Sequence, residues 1–444
     1  MAQANPAAAV ANIVKTPELA QKIVFTFICL AIYRVGAHVT APGIDVNALV
    51  DFFANQGQGG FLGLYNLFVG GSLSRATVFA LGIMPYISAS IFVQIAGAVV
   101  PSVDKMQKDE EGRKKLNQWT RLLTVALAAV QAWGFALFTE SVPGAVLNPG
   151  IAFKLQMVLF LTTGAMFVMW LGEQITERGL GNGASLLIFF SIVERFWPGI
   201  IDTFSFVSKG VIKPFGLIVL GLLMAGVVAG VVAITMAARR IVIQIPQRTM
   251  ARGRQREAAK NFIPLRINTS GVMPIIFAQS VLVVPGALAQ FSGRDELRAF
   301  AEYFQPGSPL YYLLMAFLII FFTYFYTSII FNPLDLAENL KKQGGFIPGV
   351  RPGAATADYI GKVLERITLP GAIFLTLLAL LPFWIADMIN VPFQFGGTSL
   401  LIVVGVALDT MAQVQQHLLL RKYDGFMKKG RVRFRGRQAT GGGF

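Results

Sequence analysis

Apolar residues along this chain collect into ten long stretches, separated by gaps where polar and charged residues concentrate. A helix needs about 17 residues to cross the hydrocarbon core. By that measure the pattern predicts spans at 23–41, 76–98, 120–140, 152–172, 183–203, 213–238, 271–291, 310–331, 368–387 and 398–418. Residues 61–71 (FLGLYNLFVGG) break the rule, being apolar but too short to cross. Backbone that leaves a helix at membrane depth survives only where protein buries it or water reaches it. The segment therefore reads either as an interfacial helix on the outer surface or as a short re-entrant helix folded into a cavity.

Charge adds orientation. Thirty of the 38 lysines and arginines lie in the N-terminus, in every second gap and in the C-terminal tail; Arg34 lies inside the first span. The opposite gaps and the spans beside them hold the other seven: Arg75, Lys154, Arg195, Lys209, Lys213, Arg294 and Arg298. That bias predicts cytoplasmic termini. With 444 residues, 55% hydrophobic and 14% charged, and a mean hydropathy of +0.61, a water-soluble globule is excluded. The first apolar segment has no small-residue cleavage signal after it and reads as a retained span. The expected fold is an all-α polytopic membrane protein. Five spans is an odd number, so spans 6–10 enter the membrane inverted relative to spans 1–5. This suggests halves at 1–205 and 206–418, followed by a basic tail at 419–444.

Two gaps on the basic side are long. Residues 239–270 carry alternating Ile241, Ile243 and Ile245 and return through Ile263, Leu265 and Ile267, the pattern of a β-hairpin with a basic tip. Its eight basic residues face one acid, Glu257, which points to an acidic soluble partner, RNA or protein, beyond what orientation needs. Plain topogenic charge is the alternative. Residues 332–366 hold Gly344-Gly345, Pro348-Gly349 and Pro352-Gly353 around Arg351, a turn-rich loop.

The spans carry little reactive chemistry. Cys29 is the only cysteine, and His38 and His417 lie far apart, so no thiolate or imidazole metal site is expected. No phosphate-binding glycine loop occurs, so any energy source would be a partner or an ion gradient. No cofactor is expected. Arg34, His38 and Asp409 lie within spans; Glu173, Glu177 and Arg178 lie at a boundary, where they suggest local ion pairs. Polarity is instead graded along helical faces. Ile402, Val406, Asp409, Gln413 and Gln416 form one stripe of span 10, and Ile83, Ile87, Ser90 and Gln94 one stripe of span 2. Asn268 and Thr269 lie on the basic side of Ile276. Such stripes suit a wet funnel closing on apolar side chains, or equally helix packing with polar contacts. Periodicity does not place these isoleucines at one depth.

Four segments together resemble the SecY family, the central subunits of the bacterial protein-conducting channel. They are FVGGSLSRATVFALGIMPYISASI (68–91), MWLGEQITERGLGNGAS (169–185), FNPLDLAENLKKQGGFIPGVRPG (331–353) and VPFQFGGTSLLIVVGVALDTMAQVQ (391–415). The resemblance implies two inverted five-helix halves closing as a clamshell around an hourglass pore. It implies a constriction ring of Ile83, Ile87, Ile188, Ile276 and Ile402, with Ala184 where some relatives carry isoleucine. Residues 61–72 (Phe61, Leu62, Leu64, Tyr65, Leu67 and Phe68) would plug the outer funnel. Spans 2 and 3 facing 7 and 8 would form a lateral gate including Ser88, Gln131 and Ser280. Arg252, Arg254 and Arg351 would meet the ribosome or the SecA motor. SecE would clamp the halves, with SecG peripheral, in the bacterial inner membrane. Unfolded preproteins and signal sequences would be the clients, with membrane lipid receiving apolar segments. A secondary transporter would need a charged midplane site, and an intramembrane enzyme a nucleophile–base or metal pair; neither is visible.

Overall fold

The computed structural model describes residues 17–55, 61–208, 214–244, 261–291, 303, 307–389 and 397–429. Chain order begins with α1 (Pro17–Gly36), α2 (Val46–Asn55), α3 (Phe61–Phe68), α4 (Met84–Val99), α5 (Pro101–Lys108) and α6 (Glu110–Ser141). Then come α7 (Ile151–Arg178), α8 (Gly183–Ser208), α9 (Pro214–Met236), β1 (Ala238–Ile243) and β2 (Asn261–Arg266). The last helices are α10 (Met273–Phe291), α11 (Pro309–Ile330), α12 (Pro333–Lys342), α13 (Ala354–Ile389) and α14 (Gly397–Lys429). Each of the ten predicted spans contains a helix among the described residues. Among the described residues, seven are long and apolar enough to cross a membrane by themselves. The pair α4–α5 makes an eighth, bent by 107°, while α9 and α10 contribute shorter apolar stretches, Gly221–Met236 and Met273–Val283.

The bend between α4 and α5 is local chemistry: Val100 precedes Pro101 and is held extended at φ −103°, ψ 111°. Packing sorts the helices into two groups. In the first, α6 lies on α4, α5 and α7, and α7 on α1, α4 and α8. In the second, α13 lies on α9, α11, α12 and α14, with α10 on α11. The groups meet along two seams, α10 against α4 and α6, and α8 against α14, with α3 wedged between α8 and α10. One continuous apolar core runs across both groups.

Several boundaries differ from the sequence reading. Span 2 begins at Met84 rather than 76, because residues 69–83 form turns, with Ala76 at φ 45° and Gly82 at φ 55°. Those left-handed dihedrals end any helix, and hydropathy does not register them; Pro85 in the first turn marks the true start. Span 1 is shifted toward the N-terminus, ending at Gly36. Helix α2 was not foreseen; it buries Leu49 and Phe53, the latter ring 6.3 Å from Phe138. Residues 332–366 are not loop throughout, since α12 and the first turns of α13 occupy much of them.

The hairpin is as the alternation predicts. β1 and β2 pair antiparallel, from Ala238 opposite Arg266 to Ile243 opposite Asn261, and Gln244 bridges to Phe346. Ile241, Ile243 and Leu265 share a small second core with Leu340, Ile347, Ile360 and Val363, which fixes the hairpin onto α12, α13 and the turns between them.

Candidate functional site

The site is built on the turn from α7 to α8. Thr176 Oγ1 donates to Gly172 O at 2.8 Å and accepts from Gly183 N at 2.9 Å. A Cβ on Gly183 would overlap Gly172 O, so only glycine lets the two helix ends approach this closely. The turn opens onto a cavity of about 170 Å³.

The cavity wall is part polar and part apolar. Its polar lining is Ser90 and Gln94 of α4, Thr176 of α7, Asn182 just before α8, and Ser185 of α8. Gln94 donates to Ser90 Oγ at 2.9 Å and accepts from Tyr326 OH of α11 at 2.8 Å. Ala184 also lines the cavity. Ile87, Ile188 and Ile276, from three different helices, supply its aliphatic side chains and are all buried. Ile83 lies one turn before Ile87, buried, with its Cδ1 3.1 Å from where a Cβ on Gly172 would sit. Ile402 is 0% exposed in the same core but does not line the cavity. Three of the five predicted ring residues thus share one wall, a fourth adjoins it, and the fifth lies apart.

The short apolar segment is the helix α3, buried against α8 and α10 and not lying on a surface. Leu62, Tyr65, Leu67 and Phe68 are buried; Phe61 and Leu64 belong to the helix, but their side chains lie outside the described residues. Tyr65 OH donates to Leu81 O at 3.1 Å, and Asn66 Oδ1 accepts from Ser74 N at 3.1 Å. The elbow that follows, Gly70-Gly71, rests on Ser191 and Arg195 of α8. From the turn before α8 toward its C-terminus, the order is therefore polar residues at Asn182 and Ser185, then Ile188, and then the seat of the short segment. At 1.5 Å per residue, Asn182 to Ile188 and Ile188 to Arg195 are each about 10 Å.

The seam of α10 with α4 and α6 holds the other predicted residues. Ser88, Gln131 and Ser280 are all buried. Ser280 Oγ donates to Ile276 O at 2.8 Å and sits 3.9 Å from Met84 Sδ, so it reaches α4 through sulfur and not through Ser88. Ser88 Oγ and Gln131 Oε1 have no hydrogen-bond partner among the described residues. Ser185 Oγ meets Met273 Sδ at 4.0 Å in the first turn of α10.

Arg351 is exposed, its carbonyl fixed by Thr356 Oγ1 at 2.8 Å; Arg252 and Arg254 lie outside the described residues. The boundary charges differ from expectation, because Glu173 takes a bidentate pair from Arg121 of α6, at 2.8 and 3.0 Å, and not from its neighbour Arg178. Asn268 and Thr269 serve the turn before α10, donating to Gly271 O and Arg266 O. Among the described residues no group of three or more His, Cys, Asp or Glu is placed to hold a metal. The sequence reading missed Tyr86, Met273, Phe277 and Tyr326 on the cavity wall. Met273 and Phe277 share a helical face with Ile276, the one signal that could have found them.

Comparison with known proteins follows the same lines. The SecY family matches residues 77–411. The protein translocase subunit SecY of Aquifex aeolicus is 45% identical over 421 residues, covering 93% of this chain and 97% of that one. The chain belongs to the SecY family. The SecY of Escherichia coli K12 is 44% identical over 428 residues, covering 95% and 96%. In fold, this SecY-family chain is similar to a solved protein-conducting channel at TM-score 0.65 and 17% identity, covering 93% and 95%. Sec61 in the canine ribosome-channel complex matches at TM-score 0.61 and 16% identity, covering 93% and 95%.

Proposed function

We propose that this SecY-family chain is the subunit that passes unfolded secretory polypeptides across the membrane and releases apolar segments sideways into lipid. The order along α8 carries the reading: a polar mouth, an isoleucine shared with α4 and α10, and a buried short helix beyond it. A passing chain must not bind any one side chain tightly. Ile87, Ile188 and Ile276, with Ile83 adjoining, form a deformable apolar closure that offers no polar site and excludes water and ions by dewetting. Helix α3 then acts as the plug, and the constriction is built from these four, with Ile402 supporting them from the core. A segment of about 20 apolar residues gains by leaving for lipid, and the seam of α10 with α4 and α6, where Ser88, Gln131 and Ser280 are buried, is the exit.

The chain performs no catalysis on this reading. Work comes from a SecA-type motor ATPase or a translating ribosome, docking at Arg351 and at the hairpin tip with Arg252 and Arg254. SecE clamps the halves 1–205 and 206–418, and SecG sits at the periphery. The basic side, with both termini and the tail 419–444, is cytoplasmic, and the membrane is a bacterial cell membrane. The test is reconstitution with SecE into vesicles, followed by SecA, ATP and a preprotein. Protease-protected preprotein should accumulate with ATP. None, despite SecA binding, contradicts the reading.

A further inference from the structure

Arg34 stands inside the first span, where an ionisable side chain is costly and calls for a partner. Its partner is Glu194 of α8, with which Arg34 Nη1 forms an ion pair; the two side chains are 38% and 16% exposed. One residue earlier, Tyr33 OH donates to Ser191 Oγ at 2.9 Å, while Ser191 Oγ itself donates to Leu187 O. Helix α1 is therefore tied to α8 at two successive polar residues on one helical face.

The elbow at the base of α3 rests on that same face. Gly70 and Gly71 have φ of 63° and 80°. A Cβ on Gly70 would lie 3.3 Å from Ser191 Cα and 3.4 Å from Glu194 Oε2. One on Gly71 would lie 2.9 Å from Arg195 Nη2. Two glycines in left-handed backbone let the elbow press against Ser191, Glu194 and Arg195. Gly71 N donates back to Asn66 O at 2.8 Å, so the position of the elbow is passed directly to the short helix.

We infer that the Arg34–Glu194 pair is a brace that seats the Gly70-Gly71 elbow and so holds the short helix in the sealed position. The inference rests on the channel reading above. It makes a charge pair outside the short helix, rather than only that helix's own apolar side chains, responsible for the resting seal. Glu194→Gln keeps the size of the side chain and removes its charge. In planar bilayers without a translocating chain, this variant should raise the idle conductance on the order of tenfold, the scale expected for unpairing a half-buried charge. Exchanging the charges, with Arg34→Glu and Glu194→Arg together, should bring it back to within about twofold of the parent. Gly71→Ala, which meets Arg195 with the pair intact, should also leak. A folded Glu194→Gln protein as tight as the parent overturns the brace, as does a charge exchange that stays leaky. If Glu194→Gln fails to fold, a tight Gly71→Ala protein overturns it. The unsubstituted chain is assayed for motor-driven preprotein transport in parallel. If it moves no preprotein, the channel reading falls; if it moves one while the variants stay tight, only the brace falls.

Discussion

At the residue scale, the cavity separates Ile87, Ile188 and Ile276, which line it, from Ile402, which is buried in the core away from it. Replacing Ile87, Ile188 and Ile276 together by Ser should make the idle channel conduct ions, because a wider and more polar constriction holds water. Ile402→Ser should instead lower the thermal unfolding midpoint in detergent with less effect on conductance, since this side chain is buried away from the cavity. Gly183→Ala should also be destabilising, by about 1–3 kcal/mol, because its Cβ overlaps the carbonyl of Gly172. Arg351→Glu removes little packing but reverses an exposed charge, so motor-driven export should fall about tenfold with protein abundance unchanged. Normal export would refute its role, and lost abundance would mark it as structural. The isoleucine stripe of span 2 was legible because a helix repeats every 3.6 residues. That Ile402 stands off the cavity was not, because periodicity gives a face and not a depth.

At the element scale, length alone singled out residues 61–71, and strict alternation predicted the hairpin; its register and its seat on α12 and α13 come only from the structure. Hydropathy misplaced the start of span 2, since the apolar run through Ala80 and Leu81 continues across turns that no helix can include. It passed over α2 because ten residues with one apolar face cannot be told from a loop by a window suited to spans. What buries α3 was also hidden, as it depends on α8 and α10 arriving from distant parts of the chain. Removing residues 62–71 should raise idle conductance less than substituting the isoleucine wall, because neighbouring turns can fill the vacated space. A deletion leakier than the substituted wall would move the main seal from the isoleucines to the short helix.

At the scale of the whole molecule, the ten spans follow from hydropathy and the inversion of the second half from an odd count per half, while the packing into two groups was implied by the family resemblance and is seen in the helix contacts. Reporters near Arg121, Lys260, Lys362 and the C-terminus should be cytoplasmic, and those near Gly57, Pro143, Ser205, Ser292 and Asn390 external. An external reporter at Lys260 would break the ten-span topology. The central claim, that a polypeptide passes between the two groups at the isoleucine wall, has a direct test. A photocrosslinker is placed at Ile87, Ile188 or Ile276 in one set of proteins and at the exposed Leu159 or Leu222 in another, and a preprotein is stalled during motor-driven transport. The stalled chain should crosslink to the wall positions and not to the exposed ones. Equal labelling of both sets, or none at the wall while transport proceeds, would contradict the account.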